Sequence, residues 1–191
     1  MATRRNLITN PCLSVSNAGW GGGSTPTRQT GLTGFVRTTG ARYTTGTFVL
    51  SQSAAVTVGL AYTVSVYVKP ASFGWSGTIY AEFYNSGGGA ISSPSTGFTA
   101  NSGVVTRVSL ANSTAPANAV TVKIVLDGEN FSGNNCDITA ALIEQAATLQ
   151  AYFDGDSPGA VWDGTTGLSS STLADAVTRP PQPMSQYAGY F

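Results

Sequence analysis

The segment Tyr62-Thr63-Val64-Ser65-Val66-Tyr67-Val68-Lys69-Pro70 decides the fold class. Tyr62, Val64, Val66 and Val68 alternate with Thr63, Ser65 and Tyr67, so one face is apolar and the other carries hydroxyls. Side chains on a strand point to opposite faces with period two, and β-branched valines suit the pleated backbone. Lys69-Pro70 ends the run, since proline has no N–H to give to a sheet ladder.

The same period recurs along the chain. Ile79, Ala81 and Phe83 alternate with Tyr80, Glu82 and Tyr84, and the turn Asn85-Ser86-Gly87-Gly88-Gly89 follows. Val104, Thr106, Val108 and Leu110 make a third face. Val120, Val122, Ile124 and Leu126 make a fourth, ended by Asp127-Gly128, and Ile138, Ala140 and Leu142 a fifth. Near the start, Asn6-Leu7-Ile8-Thr9-Asn10-Pro11 reads as a short strand stopped by proline, with further short strands around 34–38 and 46–50. The run 140–150 is rich in alanine, which favours helix, yet its start keeps strand alternation. No strand is followed by a convincing amphipathic helix, so a parallel βαβ sheet is not expected and two packed antiparallel sheets are.

Composition supports this. The chain has 191 residues, enough for one domain with its own core. Only 9% are charged and the formal net charge is zero, so duplex nucleic-acid binding driven by counterion release is not expected. No apolar run is long enough to span a membrane as a helix, and the basic start through Arg4 and Arg5 is not followed by the apolar stretch of a secretory signal. Histidine is absent, which removes Ser-His-Asp, Cys-His and histidine-metal chemistry together. Cys12 and Cys136 are expected to be reduced, small buried residues. Seven of the nine basic residues lie at or before Arg107 and eight of the nine acids from Asp127 onward, a polarity suited to contacts between subunits or simply chance among so few charges.

From Tyr152 the texture changes. Asp154-Gly155-Asp156-Ser157-Pro158-Gly159 is a turn cluster, Thr178-Arg179-Pro180-Pro181-Gln182-Pro183 is extended, and the end carries Tyr187, Tyr190 and Phe191. The reading is a β-sandwich over 1–150 and an extended C-terminal arm over 151–191. Arg4, Arg5, Tyr187, Tyr190 and Phe191 are the candidate docking residues, held by a neighbouring subunit or, in the simpler case, by the chain's own sandwich.

Asn6-Leu7-Ile8-Thr9-Asn10-Pro11 with Gly19-Trp20 resembles the opening of carbohydrate-binding-module-like jelly rolls, and Tyr62–Lys69 resembles their central strand. Tyr152-Phe153-Asp154-Gly155-Asp156-Ser157-Pro158-Gly159, with Trp162-Asp163-Gly164-Thr165, resembles the segment ending such domains in minor tail proteins of phages that infect actinobacteria. The resemblance implies a jelly-roll sandwich on the surface of a tailed-phage virion, as a minor tail or capsid decoration protein. Its partners would be other virion proteins, and it would be assembled in the host cytoplasm, as a homo-oligomer whose simplest form is a trimer. The alternative function is a carbohydrate-binding module that recognises host surface glycan. In that family an acid soon after the Asn-Pro pair often contributes to a structural calcium site. Here Cys12-Leu13-Ser14 supplies no carboxylate, and no metal or cofactor is expected.

Sugar rings stack on aromatic faces while polar groups take the hydroxyls. Trp20, Trp75 and Trp162 sit in glycine-rich sequence and Tyr84 shares a strand face with Tyr80, so these three tryptophans and Tyr84 are the candidate glycan contacts. No catalytic residue is assigned. Asp154, Asp156 and Asp163 could be paired with Glu129 or Glu144 as hydrolytic carboxylates, but a turn-shaping role for Asp154 and Asp156 is the simpler reading, and a non-enzymatic protein is expected. Asp154-Gly155-Asp156 opens like a calcium loop, but Pro158 and Thr165 stand where the fifth and twelfth ligands belong.

Overall fold

Alternating β-branched residues become strands throughout. The computed structural model describes residues 3–22, 26–44, 48–49, 52–129 and 135–174, and among these there are fifteen strands and no helix. In chain order they are β1 (Thr3–Asn6), β2 (Gly21–Gly22), β3 (Thr27–Thr30), β4 (Thr39–Tyr43), β5 (Phe48–Val49), β6 (Ala54–Ala55), β7 (Ala61–Pro70) and β8 (Trp75–Tyr84). Then follow β9 (Ala90–Ser92), β10 (Ser95–Ala100), β11 (Thr106–Thr114), β12 (Thr121–Glu129), β13 (Cys136–Glu144), β14 (Ala160–Trp162) and β15 (Ser171–Ala174).

All pairings are antiparallel. One sheet runs β10-β8-β12-β5-β2, with β9 beside β8 and β6 beside β12. The second runs β11-β7-β13-β4-β3. Their inner faces meet in one core: Val64, Val66 and Val68 of β7 and Ile138 and Ile143 of β13 face Ile79, Ala81 and Phe83 of β8 and Val122, Ile124 and Leu126 of β12. Each of these valine, isoleucine, leucine and phenylalanine side chains contributes roughly 1.5–3 kcal/mol on burial, so the expected two-sheet sandwich is what the alternation produces.

The local pattern departs from simple alternation at several points. β13 continues as strand to Glu144, so the alanine run does not turn helical. A bulge between Thr139 and Leu142, with Ala140 at φ 54°, shifts its phase, so Ile143 rather than Leu142 joins the main core. The segment 34–38 is not a strand; β3 and β4 flank it, while β1 ends where the expected first strand begins because the Asn6 amide is spent on a bend. Its Nδ2 donates to Ala141 O and Phe153 O, and its Oδ1 accepts from Ile8 N.

The described part of the expected arm is not extended either. Residues 145–153 run across the outer face of β7, and β14 and β15 then form a third sheet with β1, in the order β1-β15-β14. Phe153 and Asp154 are fully buried. The described stretch 151–174 is therefore docked on its own sandwich, because its turn residues and Phe153 find partners there. The proline-rich stretch from Thr178 and the docking candidates Tyr187, Tyr190 and Phe191 lie outside the described residues.

Candidate functional site

Period two sends Trp75, Ile79, Ala81 and Phe83 of β8 inward and leaves Ser76, Thr78, Tyr80, Glu82 and Tyr84 on the outer face. Register places Gly97 of β10 and Asp127 of β12 on either side of Thr78, and Thr99 beside Ser76. Together with Gly77 and Phe98, these residues line a groove of about 580 Å³. Tyr80 offers it a partly exposed ring, Ser76, Thr78 and Thr99 offer hydroxyls, and Asp127 offers an exposed carboxyl. Gly97 leaves the middle of the β10 side without a side chain, so a flat ligand can approach the backbone there.

Trp75 supports this groove from beneath and does not face it. It starts β8 and points inward, only 2% exposed, with its ring edge-on to Phe98 at 4.9 Å. A Cβ on Gly128 would fall 1.7 Å from Trp75 Nε1, so only glycine fits opposite it. Trp75 is thus withdrawn as a glycan contact. Trp20 is withdrawn for the same reason: it is 5% exposed, packs in the core and donates its Nε1 proton to Asn10 O at 2.7 Å. Trp75 hides in the sandwich because Gly128 leaves room for its ring.

Trp162 stays partly exposed on β14, away from the groove-bearing sheet. Its ring lies against Gly155 and its Nε1 donates to Asp156 Oδ1 at 2.9 Å, so it closes the turn 154–156. Tyr84 is on the expected face, but Lys123 Nζ stands 4.5 Å from its ring centroid and its hydroxyl donates to Glu82 at 2.6 Å. Burial and that hydrogen bond push the Tyr84 phenol up to about 12. Tyr80 is the groove aromatic outside the candidate set, although the alternation around Ile79 and Ala81 puts it outward beside Tyr84. Asp127 was read as the end of a strand; β12 runs on to Glu129 and carries it onto the sheet face.

The candidate docking arginines are committed within the chain. Arg4 makes a bidentate pair with buried Glu144 at 2.6 and 2.8 Å, donates to Ala151 O and lies over the Phe153 ring. Arg5 pairs with Asp163 at 2.9 Å. Asp163 also accepts from Ser170 and Thr172. Its carboxyl is pushed up by desolvation, but those hydroxyls and Arg5 outweigh this and hold it below the usual carboxylate range.

The turn 154–157 is a buried electrostatic lock. Asp154 accepts from both Arg37 Nε and Nη2, from Tyr152 OH at 2.8 Å, from the Cys12 thiol and from Asp156 N. Burial raises its pKa, but the bonds from Arg37 and Tyr152 win and keep it lowered. Burial, then the Asp154 charge, pushes the Cys12 thiol up to about 11. The carbonyls of Leu13 and Ser14 accept from Arg28. Guanidinium groups therefore take the oxygens near Pro11 that a cation would need, and the donor set does not fit a structural calcium. Among the described residues no three His, Cys, Asp or Glu side chains come together. Asp154, Asp163 and Glu144 are each tied to arginine, which leaves none of them placed as a hydrolytic carboxylate.

No protein-family model matches the sequence, and no curated protein matches it. Solved structures do. The chain is similar to the C-terminal family 22 carbohydrate-binding module of Clostridium thermocellum Xyn10B, studied for its ligand-binding cleft, with TM-score 0.54 at 12% identity, over 74% of this chain and 94% of that one. It is also similar to part of the arabinose-bound arabinofuranosidase MgGH51, with TM-score 0.52 at 14% identity, over 73% of this chain and 26% of that one. The enzymatically active domain of tailspike protein 4 from bacteriophage CBA120 gives TM-score 0.54 at 15% identity, over 72% of this chain and 21% of that one. The chain thus spans about a quarter of the glycosidase and about a fifth of the tailspike. At these identities the likeness establishes the all-β jelly-roll sandwich, the fold shared with carbohydrate-binding modules.

Proposed function

We propose that this protein is a non-catalytic carbohydrate-binding module whose glycan site is the groove on the outer face of β8, β10 and β12. The observation that carries this is Tyr80, partly exposed among Ser76, Thr78 and Thr99, with Asp127 beside Thr78, in an open groove of about 580 Å³. One ring gives a stacking platform, and hydroxyls with a carboxylate take sugar hydroxyls. The match to a module studied for its cleft supports the reading. Titration of the whole chain against soluble polysaccharides tests it. Tyr80→Ala is expected to weaken binding tenfold or more, on the scale of a central aromatic anchor. Binding that is unchanged in Tyr80→Ala rejects this groove.

The second reading concerns where the module is carried. The similarity to a phage tailspike domain and the segment Tyr152–Thr165 favour a tailed-phage virion surface, with virion proteins as neighbours and a homo-oligomer, simplest as a trimer. Mass spectrometry of gradient-purified particles tests it. Hundreds of copies fit capsid decoration, a handful fits the tail, and absence rejects a virion role.

A further inference from the structure

We propose that the protein carries a second ligand site, on the other sheet from the groove, that takes a single acid-bearing sugar with its carboxylate on Lys69 and its ring against Phe35. The site is a cavity of about 310 Å³ between the outer face of β4, β13 and β7 and the loop 31–35. That volume lies at the small end of ligand pockets and suits one ring better than a chain. The cavity shares no lining residue with the groove, so the inference stands apart from the reading of the groove.

Register builds the floor. Asp137 of β13 pairs with Arg42 of β4 on one side and with Lys69 of β7 on the other, so three charges stand in one row across the sheet. Their strand neighbours Ala41, Tyr43, Val68, Cys136 and Ile138 fill the core, which turns the row outward. Leu32 holds the wall in place. A Cβ on Gly40 would fall 2.8 Å from Leu32 Cδ1, so the loop packs directly on the sheet, and Leu32 N donates to Thr38 O at 2.9 Å. This brings the partly exposed Phe35 ring, Thr33 and the Gln29 amide to the cavity.

Charge selects the ligand. Arg42, Lys69 and Asp137 are the charged residues of the lining, two cations against one anion. Arg42 Nε and Nη2 donate to the two oxygens of Asp137, each at 2.8 Å, so that carboxylate is held by the guanidinium. Lys69 forms no ion pair among the described residues, and one of its three N–H groups donates to Thr33 O at 3.3 Å. The cavity is therefore positive at its Lys69 end, with ammonium protons left to give to an anion. A sugar acid uses the rest of the lining as well: its ring face meets Phe35, and its hydroxyls meet Gln29 and Thr33. An acidic peptide side chain brings a carboxylate but no ring for Phe35, so the sugar is the better match.

The test is a chemical-shift titration of the isotope-labelled whole chain with glucuronate, glucose and a tetraglutamate peptide at physiological salt. Glucuronate is expected to bind at least about fivefold more tightly than glucose and to move the amides of 31–35 and Lys69, not those of β8 and β10. Lys69→Gln is expected to bring the two sugars within about twofold of each other. Asp137→Asn removes the anion of the row and releases Arg42, so glucuronate affinity is expected to rise about threefold or more. Both residues are partly exposed, so each variant should melt within about 4 °C of the wild type, which is measured alongside. Glucuronate bound no more tightly than glucose, shifts confined to β8 and β10, or a preference that survives Lys69→Gln overturns the site. A weaker affinity in an Asp137→Asn variant that keeps its melting temperature overturns the charge argument. Tetraglutamate bound more tightly than glucuronate overturns the choice of a sugar.

Discussion

The two outer faces of this sandwich start from the same alternation and end differently. On β8 the outward residues Ser76, Thr78 and Tyr80 border an open groove. On β7 the outward residues Thr63 and Ser65 are fully buried, although they are polar. Residues 145–153 lie over them: Thr63 donates to Ala146 O, Ser65 accepts from Arg107, Arg107 donates to Gln150 O, and Tyr67 meets Tyr152 edge-on at 6.3 Å. A polar face in sequence is thus either a surface or a satisfied interior, and what decides is whether another segment of chain brings partners to it. The covered face should govern stability and the open face binding.

The largest test of that division is Phe153→Ala, at the far end of the covering segment. Phe153 is 2% exposed and Arg4 lies 4.8 Å from its ring centroid. Deleting a buried phenyl ring costs about 3–5 kcal/mol. Urea melts should show that loss, while glycan affinity measured well below the midpoint stays within about twofold. A variant that loses binding but not stability would merge the two faces into one functional unit.

Next comes the lock. Arg37→Ala strands the buried Asp154 charge, and breaking a buried pair costs about 3 kcal/mol, softened here by the remaining bonds from Tyr152 and Asp156 N. The same pair sets an acid limit. Asp154 has a folded pKa below its unfolded value, so its charged form stabilises the fold above the ordinary aspartate pKa of about 3.9. That contribution is lost as pH falls through the lower folded value. Asp163 acts in the same direction. Melting temperature is therefore expected to drop as pH is taken from about 5 toward 2. Asp154→Asn should be less stable at pH 7 and show a shallower acid slope, and an unchanged slope would assign the acid sensitivity elsewhere.

This contrast also explains what could be read in advance. The strands around Val66, Ala81 and Ile124 were legible because each face has one chemistry and period two is unforgiving of slips. The phase shift at Ala140 was not, since nothing in Thr139-Ala140-Ala141 marks a bulge. Nor were the covering segment and the Asp154 lock, whose partners are 147 residues apart in sequence for Arg4 and Ala151 and 117 for Arg37 and Asp154. The tryptophans misled because glycine-rich sequence suggests open loops, whereas Gly128 serves to admit Trp75 into the interior. For the groove, the outward position of Tyr80 was legible, but its neighbours Gly97 and Asp127 come from strands whose register only the folded sheet supplies.

The smallest expected effect separates two tyrosines on one strand face. Tyr80 and Tyr84 point the same way, about 13 Å apart by strand geometry. Tyr84 is spent: Lys123 covers its ring and Glu82 accepts the hydrogen bond from its hydroxyl. Removing it forfeits an exposed cation–π contact and one hydrogen bond, about 1 kcal/mol together. Tyr84→Ala should therefore lower stability slightly and leave glycan affinity within about twofold, whereas Tyr80→Ala should change stability by less than about 0.5 kcal/mol and weaken binding tenfold or more. Lys123→Ala sharpens the comparison, because it uncovers the Tyr84 ring without touching the groove. If affinity for longer oligosaccharides then rises while that for short ones does not, the open face is one long track that Lys123 cuts in two. If neither changes, the glycan site ends at Tyr80, and the outer face divides into a binding half and a self-satisfied half on the same strand.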